Sequence, residues 1–196
     1  MILDAAEAEF LLKGYNSSKT TDIARAAGVT HAMLHYYFRT KENLFNKVFD
    51  QKVKLVVDLI YSSSIKEEIP FLDKLKLGIE AHFNFLKANP SLPLFVINEI
   101  FSKPSKLERL ANTINSLAPG FINSFQKNLD QLYISGEAKK LNAFDLIVDI
   151  ISLNVFTFIM FPLLSKIYIT NNDSLGDNLE LRKQEIITTI MSRILN

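Results

Sequence analysis

Apolar residues recur at helical spacing along almost the whole chain. Ile2, Leu3, Ala6 and Phe10 share one face, and Asp4, Glu7 and Glu9 fall mostly off it. This predicts a first helix from Ile2 to about Lys13, ended by Gly14. A polar loop, residues 16–19, leads into two short helices. A long fourth helix then opens at Lys41-Glu42, with Leu44, Phe45, Val48, Phe49, Leu55, Val56 and Leu59 as its apolar positions, and fades at Ser62-Ser63-Ser64. Prolines punctuate the rest of the chain, because proline fits a first helical turn and breaks an interior. They predict helices over residues 71–88, 93–102, 104–116 and from Pro119 to near Ser135-Gly136. Asn142 is a candidate cap for a ninth helix reaching about Tyr168. A polar loop, 170–177, precedes a last helix from about Asn178 to Leu195. No alternating strand pattern or repeat interrupts this, so the chain reads as all-α.

Within that pattern, residues 20–41 carry the most local information. Asp22-Ile23-Ala24-Arg25-Ala26-Ala27 favours helix, Gly28-Val29-Thr30 breaks it, and His31 to Tyr37 resumes it, closed by Phe38. Gly28 can take the left-handed conformation that ends a helix, and Thr30 can cap the next one. Two short helices across a tight glycine turn make a helix-turn-helix, whose second helix can enter the DNA major groove.

An ordered set of residues surrounds this motif: Ile2-Leu3 with Ala5-Ala6, Phe10, Gly14, Asp22-Ile23-Ala24, Ala27-Gly28-Val29-Thr30, Leu34, Tyr37-Phe38, and Lys41-Glu42 with Leu44. In that order the N-terminal quarter of the chain resembles the TetR family of bacterial transcriptional regulators. His31 departs from the lysine that the family often has after the turn threonine. The resemblance implies an N-terminal DNA-binding domain, residues 1–48, and a helical ligand-binding and dimerisation domain, residues 49–196. It also implies a homodimer on a pseudo-palindromic operator, released when a small apolar or amphipathic effector binds, most simply as a repressor in the cytoplasm.

In the second helix of the motif, Leu34 and Phe38 are four apart and should pack on Ile23 and Ala27. The resemblance puts Tyr37 in the small core beside them. That leaves His31, Ala32, Met33, His35 and Tyr36 facing outward. His35 and Tyr36 can donate to phosphates or base edges, Ala32 permits close approach, and Met33 can touch a thymine methyl. Thr20, Thr21 and Thr30 offer hydroxyls at helix starts, where capping and phosphate contact compete. Lys41 adds charge at the start of the fourth helix, and the resemblance makes it a phosphate clamp.

Composition sharpens this picture at two points. Residues 13–54 hold eight Lys and Arg against three acids, a net +5 in a chain of net +1. A basic module on an acidic remainder suits an anionic partner at one end. Zero cysteines exclude disulfides and thiolate metal sites.

The remainder shows no catalytic constellation, no Gly-rich phosphate loop, no nucleophile elbow, and no cofactor or metal motif. His82 is the one histidine outside the basic segment. With Phe83, Asn98, Phe101, Phe121 and Phe125 it could line a mostly apolar pocket with polar anchors, or fill an aromatic core. Residues 150–164 are the most apolar. They are shorter than a membrane span, which needs about 20 such residues, and carry Asn154 and Pro162. A helix buried partly in its own domain and partly in a second subunit fits better. On that basis Asp149, Phe156, Ile187, Ile190 and Ile194 are the expected dimer contacts. The rival to a regulator is a ligand-binding or protein-interaction module with a weakened DNA-binding head.

Overall fold

The computed structural model describes the backbone except at residues 65–68, 101–103 and 169–174. Side chains at 59–64, 99–100, 168 and 175–177 also lie outside the description. Among the described residues the protein is ten helices with no strand: α1 Ile2–Ser17, α2 Thr20–Ala26, α3 His31–Phe38, α4 Lys41–Ser64, α5 Phe71–Ala88, α6 Leu92–Ile100, α7 Pro104–Leu117, α8 Phe121–Ile134, α9 Ala143–Tyr168 and α10 Leu175–Ile194. A single antiparallel bridge joins Ala138 and Leu195.

The helix ends follow local chemistry. Gly14, expected to end α1, only kinks it: its φ of 72° breaks the regular geometry, and the helix resumes to Ser17. Asn142 caps α9, its Oδ1 accepting from the N–H groups of Phe144 at 2.8 Å and Asp145 at 3.3 Å. Pro162 lies in the interior of α9 without ending it, whereas Pro93 and Pro104 sit in the first turns of α6 and α7.

The chain packs as two compact units. The first comprises Met1–Leu55 and Leu94–Leu117, and the second Val56–Pro93 and Ala118–Asn196. The first unit takes α4 as far as Leu55, with α6 from Leu94 onward and all of α7.

In the first unit, Ala6, Phe10, Ile23, Ala24, Ala27, Leu34, Leu44 and Phe45 are buried together. Phe45 is the hub: its ring lies 5.2 Å from Phe10, 5.0 Å from Tyr15 and 5.5 Å from Phe95, centroid to centroid. Such pairs add about 0.5–1.5 kcal/mol each beyond the area they bury. Arg109 of α7 grips Asp50 of α4 through two hydrogen bonds, 3.2 and 2.5 Å. Tyr37 corrects an expectation. It is 60% exposed rather than in the core, because α3 is only two turns long and Leu34 and Phe38 already cover its inner side.

In the second unit α9 packs on α5, α8 and α10, and α10 also packs on α5. Ile79, Phe83, Leu129, Leu146, Phe158 and Ile186 form its interior. Here the expected dimer contacts need correcting. Ile187, Ile190 and Ile194 are buried in the subunit's own core, with Ile190 1% and Ile194 0% exposed. They repeat at helical spacing because α10 turns its apolar side onto its own bundle. Phe156 is 58% exposed, and Asp149 is half-buried and paired with Arg193. Residues 143–167 of α9 are long and apolar enough to cross a membrane, and most of their most apolar stretch is unburied. Exposed Phe144, Val148, Ile151, Phe156, Leu163 and Ile167 account for much of the apolar surface.

Candidate nucleic-acid interface

The turn between α2 and α3 is built by backbone hydrogen bonds. Val29 N–H reaches Ala24 O at 3.0 Å and Gly28 N–H reaches Arg25 O at 3.1 Å. This six-to-one and five-to-two pairing requires a left-handed residue just past the helix, and Gly28 supplies it at φ 67°. Thr30 then caps α3, its hydroxyl accepting from Met33 N–H at 3.2 Å. Thr20 Oγ1 lies 3.0 Å from His31 Nε2, tying the start of α2 to the start of α3. Thr20 is half-buried and Thr21 exposed.

His31, Ala32, Met33, His35 and Tyr36 are all exposed on α3, Tyr36 by 70%. Tyr37 joins them, its ring edge-on to Tyr36 with centroids 5.4 Å apart. Beside this face lies a cleft of about 410 Å³ lined by Lys19, Thr20, Thr21, His31, His35, Arg39 and Lys41, with no carboxylate in its wall. Elsewhere in the head the positive charge is partly offset. Glu9 pairs with Lys13 at 2.7 Å and Glu7 with Lys52 at 2.6 Å, so the acids of α1 reduce the +5 counted over residues 13–54. Charge therefore concentrates at the cleft.

Lys41 occupies the first position of α4, with its ammonium turned inward. It donates to the carbonyls of Tyr15 at 2.7 Å, Ser18 at 3.0 Å and Asn16 at 3.4 Å, and lies 4.5 Å from the Tyr15 ring centre. In this geometry it holds the segment that leads into α2. Arg39 is a residue that the sequence pattern does not single out. Its φ of 63° and ψ of −48° place it at the centre of a γ-turn, with Thr40 N–H reaching Phe38 O at 2.7 Å. For a residue with a Cβ this costs roughly 1–3 kcal/mol and is concentrated at functional sites. The strain sets the exposed Arg39 in the cleft wall and Thr40 as the cap of α4, accepting from Asn43 N–H at 3.0 Å. No sequence signal marks it, since arginine normally avoids positive φ.

The expected pocket residues are divided between the two units. His82 and Phe83 are buried on α5, Phe125 is buried on α8, and Phe121 is half-buried beside it at 5.9 Å between centroids. Asn98 is exposed and belongs to the first unit. Phe101 lies outside the described residues. His82 meets Asn154 of α9, with its Nδ1 3.1 Å from the Asn154 amide nitrogen. Burial pushes the His82 pKa down to about 4, so the ring is neutral near pH 7. Asn154 is fully buried, and its Oδ1 has no hydrogen-bond partner. An unpaired buried acceptor costs about 1–3 kcal/mol.

A capped two-helix reader with an exposed second helix and a carboxylate-free basic cleft defines a helix-turn-helix DNA-binding protein. Residues 2–48 match the model of bacterial regulatory proteins of the tetR family. The chain is 30% identical over 139 residues to the fatty acid metabolism regulator protein of Bacillus subtilis, covering 71% of this chain and 70% of that protein. It is 23% identical over 141 residues to the transcriptional regulator QacR of Staphylococcus aureus, covering 69% and 71%. The fold matches the solved transcriptional regulator FadR from Bacillus subtilis in complex with stearoyl-CoA. That match has a TM-score of 0.69 and 25% identity, and spans 98% of this chain and 97% of that one. The chain belongs to the tetR family of bacterial regulatory proteins. It is a ligand-responsive transcriptional regulator and not an enzyme. Members of this family bind DNA operators, act as dimers and respond to small molecules.

Proposed function

We propose that this protein is a cytoplasmic repressor that binds a two-fold operator as a homodimer and is released by a molecule carrying a long acyl chain, of which an acyl-CoA is the first candidate. The observation that carries the DNA-binding part is the exposed α3 face beside the carboxylate-free cleft of Lys19, Arg39 and Lys41. His31, Ala32, Met33, His35, Tyr36 and Tyr37 present donors and apolar groups to base edges and phosphates, while Thr20 and Thr21 stand over the adjoining strand. The acyl-chain part rests on the fatty acid metabolism regulator relative and on the stearoyl-CoA complex of the similar structure. The aromatic interior of the second unit, including Phe83, Phe125 and Phe158, suits an apolar chain.

The dimer part rests on the exposed apolar side of α9. Monomeric proteins seldom leave such a surface to water. One chain has one reading head, and a two-fold pair supplies the second half-site contact through one self-complementary patch.

A gel-shift titration on DNA upstream of the protein's own gene, with and without stearoyl-CoA, tests the reading. Retarded DNA that stearoyl-CoA frees supports it. Retarded DNA indifferent to stearoyl-CoA removes the acyl-CoA assignment and leaves the DNA-binding part. The absence of any retardation removes the DNA-binding part for that site.

A further inference from the structure

We infer that His82 and Asn154 form a neutral hydrogen-bonding anchor inside the second unit, which takes an uncharged amide or hydroxyl of the effector next to its apolar chain. This rests on the proposed function, in which an effector of mixed apolar and polar character controls the protein.

The orientation of both side chains follows from one backbone group. The carbonyl of Ile79 can only accept, and the Asn154 amide nitrogen lies 3.3 Å from it, so nitrogen rather than oxygen faces α5. The other hydrogen of that nitrogen points to His82 Nδ1 at 3.1 Å, which must then accept. The ring proton therefore sits on Nε2. Asn154 Oδ1 remains as an acceptor, fully buried and without a partner. The pair offers one acceptor and one donor, from two helices, with no formal charge.

Its surroundings are apolar. Ile79 and Phe83 flank His82 on α5, Phe158 lies one turn beyond Asn154 on α9, and the Phe83 and Phe158 rings are 5.0 Å apart. The pair carries no formal charge near pH 7, since burial keeps His82 neutral. A hydroxyl or the N–H of a secondary amide can donate to Asn154 Oδ1 and leave its alkyl chain against the aromatic rings. The arm of an acyl-CoA carries secondary amides of this kind beside its acyl chain. A trapped water is the competing occupant, and it needs at least two polar partners.

The test uses full-length protein, isothermal calorimetry with stearoyl-CoA and with 1-dodecanol, and nitrogen-15 spectra of the histidine rings. Asn154→Leu keeps the side-chain size and removes both polar atoms. We expect at least tenfold weaker binding of both probes, thermal stability at or above wild type, and a shift of the His82 Nε2 signal when wild type is saturated. Equal binding of stearoyl-CoA by wild type and Asn154→Leu overturns the anchor and leaves the acyl-CoA reading in place. Failure of stearoyl-CoA to bind wild type removes the acyl-CoA reading, and the dodecanol arm then decides the anchor. Loss of dodecanol binding in Asn154→Leu supports it. Equal binding by both proteins, or none by wild type, overturns it. If the variant does not fold, the wild-type spectra decide: an unmoved His82 signal at saturation overturns the anchor.

Discussion

Arg39 is the residue at which backbone strain and charge coincide. Its positive φ has no glycine to relieve it, and its side chain stands in the wall of the basic cleft. Arg39→Gly should relieve strain of roughly 1–3 kcal/mol, offset by about 0.5–1 kcal/mol of added chain entropy. Thermal unfolding should thus show no loss of stability. Operator affinity should fall, and the salt slope should shrink by about 0.9 per half-site if Arg39 neutralises one phosphate. A destabilised variant with an unchanged slope would instead make Arg39 a structural residue. His82 gives a different residue-scale expectation. Its folded pKa of about 4 lies below the ordinary 6.5, so between those values the unfolded chain binds more protons than the folded one. Above pH 6.5 its effect is nil. As pH falls toward 4, stability should drop by about 1.4 kcal/mol per unit from this group. Urea unfolding across that window should show the slope, and His82→Phe should flatten it. An identical slope in the variant would place the titration elsewhere.

At the scale of elements, α2 and α3 are positioned from outside themselves. Lys41, at the start of α4, holds the carbonyls of Tyr15, Asn16 and Ser18, and thereby the approach to Thr20. Lys41→Ala should destabilise the head by about 1.5–3 kcal/mol, the range for hydrogen bonds to a charged group. Affinity for every duplex should fall with it, while the salt slope changes by less than one unit. A full unit lost from the slope, with stability intact, would identify Lys41 as a direct phosphate contact. The local pattern was readable from sequence wherever it depended on neighbours in the chain. Gly28, Thr30 and Asn142 act at helix ends through bonds spanning five residues or fewer, each where the pattern put it, whereas Gly14 kinks α1 without ending it. The inward turn of Lys41 was not readable, because its partners lie 23 to 26 residues away.

For the whole molecule, the consequential feature is which apolar side of each helix faces its own core. Ile151→Glu with Phe156→Glu should give folded monomers that lose tight operator binding, since both positions are exposed on α9. Ile190→Glu should unfold the subunit, because it buries an unpaired charge. Light scattering with circular dichroism separates the two outcomes. An Ile151→Glu, Phe156→Glu protein that stays dimeric at micromolar concentration would sink the α9 interface. Periodicity alone determined that this chain is a set of helices with a helix-turn-helix near its start, because helix formation, capping and the glycine turn are local. Tertiary structure decided the rest. It turned Ile187, Ile190 and Ile194 inward, left Tyr37 and Phe156 outward, joined α7 to the head through Asp50 and Arg109, and set His82 against Asn154 across 72 residues. A hydrophobic stripe states that a face will be covered. What covers it depends on helices distant in sequence, and that choice is made only when they pack.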